Sequence, residues 1–144
     1  MSLRILEDKR KFTYYRLKDE EKNKIIKTLS NILRKRKEIL LAVVFGSFVR
    51  SEVFRDIDVA VFTGYKIPYN EVEVYEENLA KDIESLINIP IDVVVIDYAP
   101  PWFRVKALEG IVLVEREVAL AARLKFKSTQ EVNDLLAKMQ KIFR

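Results

Sequence analysis

The alternation of apolar and polar positions along the 144-residue chain predicts helices separated by short strands. Apolar residues recur at helical spacing from 19 to about 38 and again over 71–87. Short apolar runs that end at turn residues predict strands at 39–45, 57–62, 91–96 and 111–114. Helices that alternate with short apolar strands are typical of an α/β layer fold with a small sheet.

The remaining segments give weaker patterns. Residues 48–54 have room for a helical turn or two, and Pro101 and Gly110 bracket a short helix over 101–109. The C-terminus is predicted to be helical with a break at Ser128, because Ser128 and Glu131 have capping-box spacing. Residues 1–18 contain apolar side chains but no clear period.

Composition narrows the chemistry that is open to the chain. It contains no cysteine and no histidine, which excludes disulfides, zinc sites built from Cys or His, thiol nucleophiles and triads with an imidazole base. Any bound metal must therefore be held by oxygen ligands, as magnesium, manganese and calcium are.

Charge and hydropathy indicate whether the protein is expected to contact a membrane or a nucleic acid. No apolar stretch reaches the roughly 18 residues of a membrane span, and the N-terminus has no secretory signal, so we expect a cytoplasmic protein without membrane contact. The net charge is +4, and residues 1–38 carry thirteen Lys and Arg against six Asp and Glu. This excess fits the solvated end of a helix, so nucleic-acid binding is not expected except through this basic region.

Three aspartates stand at the starts of two predicted strands. Asp56 and Asp58 are two residues apart and so share one face of a strand, and Asp92 is the second residue of the next strand, as Asp58 is of its own. If those strands are neighbours, three mutually repelling carboxylates converge, and a divalent cation would relieve the repulsion. Asp97 lies an odd five residues beyond Asp92, which favours a cap or turn role.

A possible phosphate-binding turn lies immediately before this pair. The buried strand at 39–45 ends at Gly46-Ser47, and a helical turn follows. Glycine lets the backbone approach a phosphate closely, serine offers a hydroxyl, and the amides at a helix start attract anions.

With these residues in place, the segment from Phe45-Gly46-Ser47 through Asp56-Ile57-Asp58 resembles the signature of the DNA polymerase β-like nucleotidyltransferase superfamily. At this size it resembles the minimal nucleotidyltransferases, the MNT antitoxin group that pairs with HEPN-domain proteins. The resemblance implies an α+β fold with a small mixed sheet. It also implies one domain, in which a catalytic core at 39–115 lies between a basic N-terminal region (1–38) and C-terminal helices (116–144).

The resemblance also implies the site and the reaction. Gly46, Ser47 and Arg50 would bind the nucleotide, and two Mg²⁺ ions would be held by Asp56, Asp58 and Asp92, with Asp92 also the candidate base. The expected reaction transfers a nucleoside monophosphate, AMP from ATP, to an acceptor hydroxyl on a HEPN toxin. No Cys or His is needed, because such transfer relies on positioning and electrostatics.

Two other readings stay open. The connection from Phe48 to Arg55 is shorter than is usual in the family, and Arg55 stands where serine is common, so a non-catalytic antitoxin that retains the fold is an alternative. A small-molecule nucleotidyltransferase is a less favoured one. The apolar stripe of the C-terminal helix is compatible with core docking or with a homodimer or partner interface.

Overall fold

The computed structural model describes residues 13–143, and the first twelve residues and Arg144 lie outside this range. Six strands occur within it: β1 (Tyr15–Arg16), β2 (Leu41–Phe45), β3 (Val53–Phe54), β4 (Ile57–Phe62), β5 (Ile91–Val95) and β6 (Ile111–Glu115). Five α-helices accompany them: α1 (Asp19–Arg34), α2 (Ser47–Arg50), α3 (Val72–Ile87), α4 (Pro101–Leu108) and α5 (Leu120–Ile142). A single 3₁₀ turn, Tyr69–Glu71, leads into α3.

Four of the strands form a mixed sheet in the order β5-β4-β2-β6. β4 and β5 are parallel, whereas β2 is antiparallel to both of its neighbours. The two central strands are apolar along almost their whole length because both faces of the sheet are covered. The predicted small mixed sheet packed with helices is confirmed.

Alternate residues of β4 divide the core into two layers. Ile57, Val59 and Val61 pack with Leu29 of α1 and Leu79 of α3 on one face. The even-numbered residues of the strand point the other way, and Ala60 and Phe62 pack with side chains of α4 and α5. Asp58 therefore projects from the α4 face of the sheet.

The segment after β2 contains the predicted helical turn and also a strand that was not predicted. α2 is a single turn, and the chain then forms β3, which pairs with β1 so that Phe54 lies opposite Tyr15. The two rings stack with their centroids 5.8 Å apart. This pairing joins residues almost forty positions apart, so local periodicity in the N-terminal region could not predict it.

The predicted break at Ser128 is wrong, since α5 runs continuously from Leu120 to Ile142. Ser128 is fully buried inside this helix and caps nothing. Residues 120–142 contain no glycine or proline to stop the helix, and a capping-box pattern acts only where the chain already bends. Within the described residues, no helix combines the length and apolar character that crossing a membrane demands.

Candidate active site

Pairing of β4 with β5 brings two of the three predicted aspartates side by side. In this parallel pair Asp58 lies directly opposite Asp92, so both carboxylates project from the same face of the sheet. Asp56 precedes β4 by one residue and is close enough to influence the charge of both. The strands that carry Asp58 and Asp92 are therefore neighbours, as the predicted convergence requires.

The electrostatics of the cluster are those of crowded like charges. Burial, followed by the charges of Asp56 and Asp92, raises the pKa of Asp58 from 3.8 to about 6. Lys106 and Arg50 act in the opposite direction, without cancelling the effect. Burial and then Asp56 raise the pKa of Asp92 as well. A cation at this position would relieve the repulsion.

Gly46 closes one side of the cluster. Its φ of +81° lies in the left-handed region, and a Cβ at this position would sit 2.3 Å from Oδ2 of Asp58. Both facts require glycine, because any side chain would strain the backbone and displace the carboxylate. Gly46 and the Asp58 carboxylate are therefore in close contact.

The short helix α2 carries Ser47 and Arg50 away from this turn. Ser47 is half-buried at its start, and Arg50 is exposed at its end. The amide of Arg50 donates to the Gly46 carbonyl at 3.2 Å and that of Ser51 to the Ser47 carbonyl at 2.8 Å. These bonds fix the turn against the end of β2.

Lys22 of α1 holds the far end of α2. Its ammonium group donates to the Ser51 carbonyl and lies 5.4 Å from the ring centroid of Phe48 and 5.7 Å from that of Phe54. The side chain is nearly buried, which is unusual for lysine. Sequence reasoning missed this residue, because the contact joins positions 22 and 51, which no local pattern connects.

A small cavity of about 50 Å³ opens beside Gly46. Its polar wall consists of Arg50 from α2 and of Lys106 and Glu109 from the end of α4. Gly110 also lines the cavity and packs tightly on β2, since a Cβ there would lie 2.0 Å from the carbonyl oxygen of Val44. Lys106 was not anticipated, because its approach to Asp58 depends on how α4 crosses the sheet.

Two other charged residues have no part in the cluster. Asp97, at the opposite end of β5, is buried and accepts hydrogen bonds from the amide and hydroxyl of Thr63 and from the amide of Tyr65. Its turn role agrees with the prediction. Arg55 is exposed and its guanidinium lies 5.8 Å from the ring centroid of Tyr14.

The donor set suits a hard divalent cation that is bound together with a substrate. Within residues 13–143, no three acidic side chains lie in an arrangement that could hold a metal ion by themselves. Magnesium is usually bound by one or two carboxylates, with waters and substrate phosphates completing its shell. The coupled carboxylates and the neighbouring cations fit that kind of site.

The fold and the site together define the class of protein. A mixed sheet in which a Gly-Ser turn lies beside aspartates at the starts of strands is typical of a nucleotidyltransferase. Residues 27–119 match the family described as Polymerase beta, Nucleotidyltransferase, and the chain belongs to this family. The superfamily predicted from the sequence is thereby confirmed. No curated protein sequence matches the chain at a significant level.

Solved structures with the same fold include MNT antitoxins. One is a Shewanella oneidensis complex of a tri-AMPylated HEPN toxin with its MNT antitoxin (TM-score 0.66, 18% identity, 85% of this chain and 95% of the other covered). Another is the MntA–HepT toxin–antitoxin (TM-score 0.65, 18% identity, 84% and 95% covered). A third is a toxin–antitoxin with AMP-PNP (TM-score 0.66, 22% identity, 85% and 94% covered).

Proposed function

We propose that this protein transfers AMP from ATP to a hydroxyl group on a HEPN-domain partner and thereby acts as the antitoxin of a pair. The observation that carries the proposal is the coupled carboxylate cluster in contact with Gly46, inside a nucleotidyltransferase fold. AMPylated toxin and bound AMP-PNP in the structural neighbours support the choice of nucleotide and acceptor.

The triphosphate is proposed to lie over the turn at the end of β2. Gly46 allows the phosphates to approach the backbone, and Ser47 offers its hydroxyl as a donor. Arg50 and Lys106, which line the cavity beside Gly46 together with Glu109, supply positive charge. Lys106 is an addition to the nucleotide-binding residues proposed from the sequence.

Asp56, Asp58 and Asp92 are proposed to hold Mg²⁺ jointly with the nucleotide phosphates. Bound there, two magnesium ions would neutralise the triphosphate and align it for displacement. Burial and mutual repulsion destabilise the charged carboxylates, and a bound cation would relieve both effects. The carboxylates should therefore favour a complex of metal and polyphosphate.

Asp92 is proposed to accept the proton of the acceptor hydroxyl. The acceptor oxygen forms a bond to the α-phosphorus, the bond from that phosphorus to the bridging oxygen breaks, and pyrophosphate leaves with the electron pair. The pKa of Asp92 is raised toward neutral pH, and a general base is more effective when its pKa lies nearer the working pH.

The test is incubation with α-labelled ATP, Mg²⁺ and a HEPN-domain protein of the same organism. Wild-type protein should label the HEPN protein and release pyrophosphate, whereas Asp56→Ala/Asp58→Ala should leave it unlabelled. Lys141→Ala, which replaces an exposed charge at the end of α5, is the matched control and should label normally. Equal labelling by wild type and the double variant would reject the assignment. Neutralisation of the toxin without labelling would favour the non-catalytic antitoxin.

A further inference from the structure

An apolar groove of about 360 Å³ runs along β5, the edge strand that carries Asp92. Tyr69, Tyr98 and Trp102 line it and remain exposed, with 76%, 39% and 59% of their surface accessible. Every other residue along the groove is also uncharged. Exposed aromatic surface of this extent on a small protein marks an interaction site.

Two elements connect the groove to the carboxylate cluster. Val94 lines the groove, projects from the same face of β5 as Asp92, and is about 7 Å further along the strand. On α4, Trp102 lines the groove and Lys106 lines the cavity beside Gly46, one helical turn or about 6 Å later. In the sheet order β5-β4-β2-β6, the groove lies at the β5 edge and the cavity lies beside the turn that follows β2, so the cluster on β4 and β5 lies between them.

The direction of attack decides which side receives the acceptor. In phosphoryl transfer the attacking and leaving oxygens lie roughly in line on opposite sides of phosphorus. In the proposed function the triphosphate lies beside Arg50 and Lys106, which line the cavity next to Gly46, so pyrophosphate departs toward that side. The acceptor hydroxyl must then arrive from the side of β5, past Asp92, where the aromatic groove lies.

We infer that this groove is the docking site for the acceptor polypeptide, which places an apolar or aromatic side chain between Tyr69 and Trp102 while presenting its hydroxyl to Asp92. The inference rests on the proposed function and names the surface that recognises the acceptor. An uncharged aromatic lining suits a polypeptide, whereas polyphosphates and cationic sugars require compensating charge.

The edge of β5 limits how the acceptor can bind. The amides of Ile91 and Val95 already donate to carboxylates of α3, to Glu84 at 2.8 Å and to Glu76 at 2.7 Å. These bonds compete with the addition of an acceptor strand to the sheet. Recognition therefore relies on side chains filling the groove.

Trp102 is the chain's single tryptophan, so it reports on the groove directly. With 5-fluorotryptophan incorporated, the ¹⁹F resonance should shift when the unlabelled HEPN-domain protein is added and should stay in place with MgATP alone. A shift with MgATP alone would assign the groove to the nucleobase and overturn the inference. Binding of the HEPN protein, measured by calorimetry, without a shift would overturn it as well.

A kinetic test separates this inference from the proposed function. Tyr69→Ala/Trp102→Ala should raise the KM for the HEPN protein at least about tenfold, the loss expected for interface aromatics, and leave the KM for ATP unchanged. Phe126→Ala, an equally exposed aromatic on α5, is the control and should change neither constant. If wild-type protein labels the HEPN protein and the double variant has an unchanged KM for it, the groove is not the docking site, and the proposed function is unaffected. Absence of labelling by wild type rejects the proposed function and this inference with it.

Discussion

Acidic side chains at the two ends of the same strand pair, β4 and β5, experience opposite surroundings. Asp97 is almost completely buried, yet three donors from Thr63 and Tyr65 compensate its charge. Asp58 is half-buried and Asp92 is more exposed. Both carboxyl groups are partly desolvated beside other carboxylates, which penalises their charge. A carboxylate with its own donors stabilises a fold, whereas carboxylates that repel one another cost stability and are retained for what they bind.

The largest effect on activity is expected from replacing Asp92, at the end of the strand pair that carries the carboxylate cluster. Asp92→Asn removes the proposed base and should lower kcat for AMP transfer by about 10³-fold, within the range for general-base catalysis. Because its pKa is raised, wild-type kcat should also fall as the pH is lowered and Asp92 becomes protonated. Single-turnover labelling across a pH series measures both effects. A variant that retains wild-type kcat would exclude Asp92 from the reaction.

At the structural end, Asp97→Asn should destabilise the protein without affecting transfer. Asparagine presents an amide group to the donors of Thr63 and Tyr65, and loss of charge-assisted bonds at a buried site costs about 3 kcal/mol of unfolding free energy. Urea denaturation measures the cost, and labelling per folded molecule should stay at the wild-type level. A stable variant, or one that folds but fails to transfer, would contradict the division between the two ends.

Removing a cation beside the cluster should have a smaller effect, on nucleotide affinity. Lys106→Ala is expected to weaken MgATP binding about tenfold, equivalent to losing roughly one charge-assisted contact of 1.4 kcal/mol. Isothermal calorimetry provides the measurement, and Lys81→Ala, an exposed lysine on α3, is the matched control. Equal affinities for the two variants would remove Lys106 from the nucleotide site.

The smallest effect concerns stability at the functional end. The folded-state pKa of Asp58, about 6 against 3.8, means that the folded protein binds this proton more tightly than the unfolded chain. Its stabilising contribution is therefore complete below about pH 4 and is lost as the pH rises through 6. Asp58→Asn should raise the free energy of unfolding at pH 7 by about 1 kcal/mol, since the group is partly solvated. Urea denaturation of both proteins at pH 4 and pH 7 measures this difference in unfolding free energy. If Asp58→Asn is no more stable than the wild type at pH 7, the charged carboxylate of Asp58 is not penalised in the folded protein.

Local patterns predicted most of the elements, because alternation and apolar run length report directly on burial. β4 was predicted with its observed bounds, and the face shared by Asp58 and Asp92 followed from strand geometry once the strands proved to be neighbours. The pairing of β1 with β3 was missed because it depends on contacts between distant segments.

The same limit applies to the site. Gly46, Asp56 and Asp58 could be proposed from spacing, since they lie within one strand–turn–strand segment, and Asp92 could be proposed from its matching position in the next predicted strand. Lys22 and Lys106 could not, because Lys22 reaches Ser51 from α1 and Lys106 reaches the cluster from α4. Side chains that act across elements become visible only when the packing of helices on the sheet is known.

The central claim is that Asp56, Asp58 and Asp92 bind a divalent cation together with a nucleotide. Titration with Mn²⁺, followed by electron paramagnetic resonance with and without a non-hydrolysable ATP analogue, tests it most directly. We predict that wild-type protein binds Mn²⁺ tightly only when the analogue is present, and that Asp56→Asn/Asp58→Asn abolishes this binding while Asp97→Asn leaves it intact. Identical Mn²⁺ binding by wild type and Asp56→Asn/Asp58→Asn in the presence of the analogue would contradict the account.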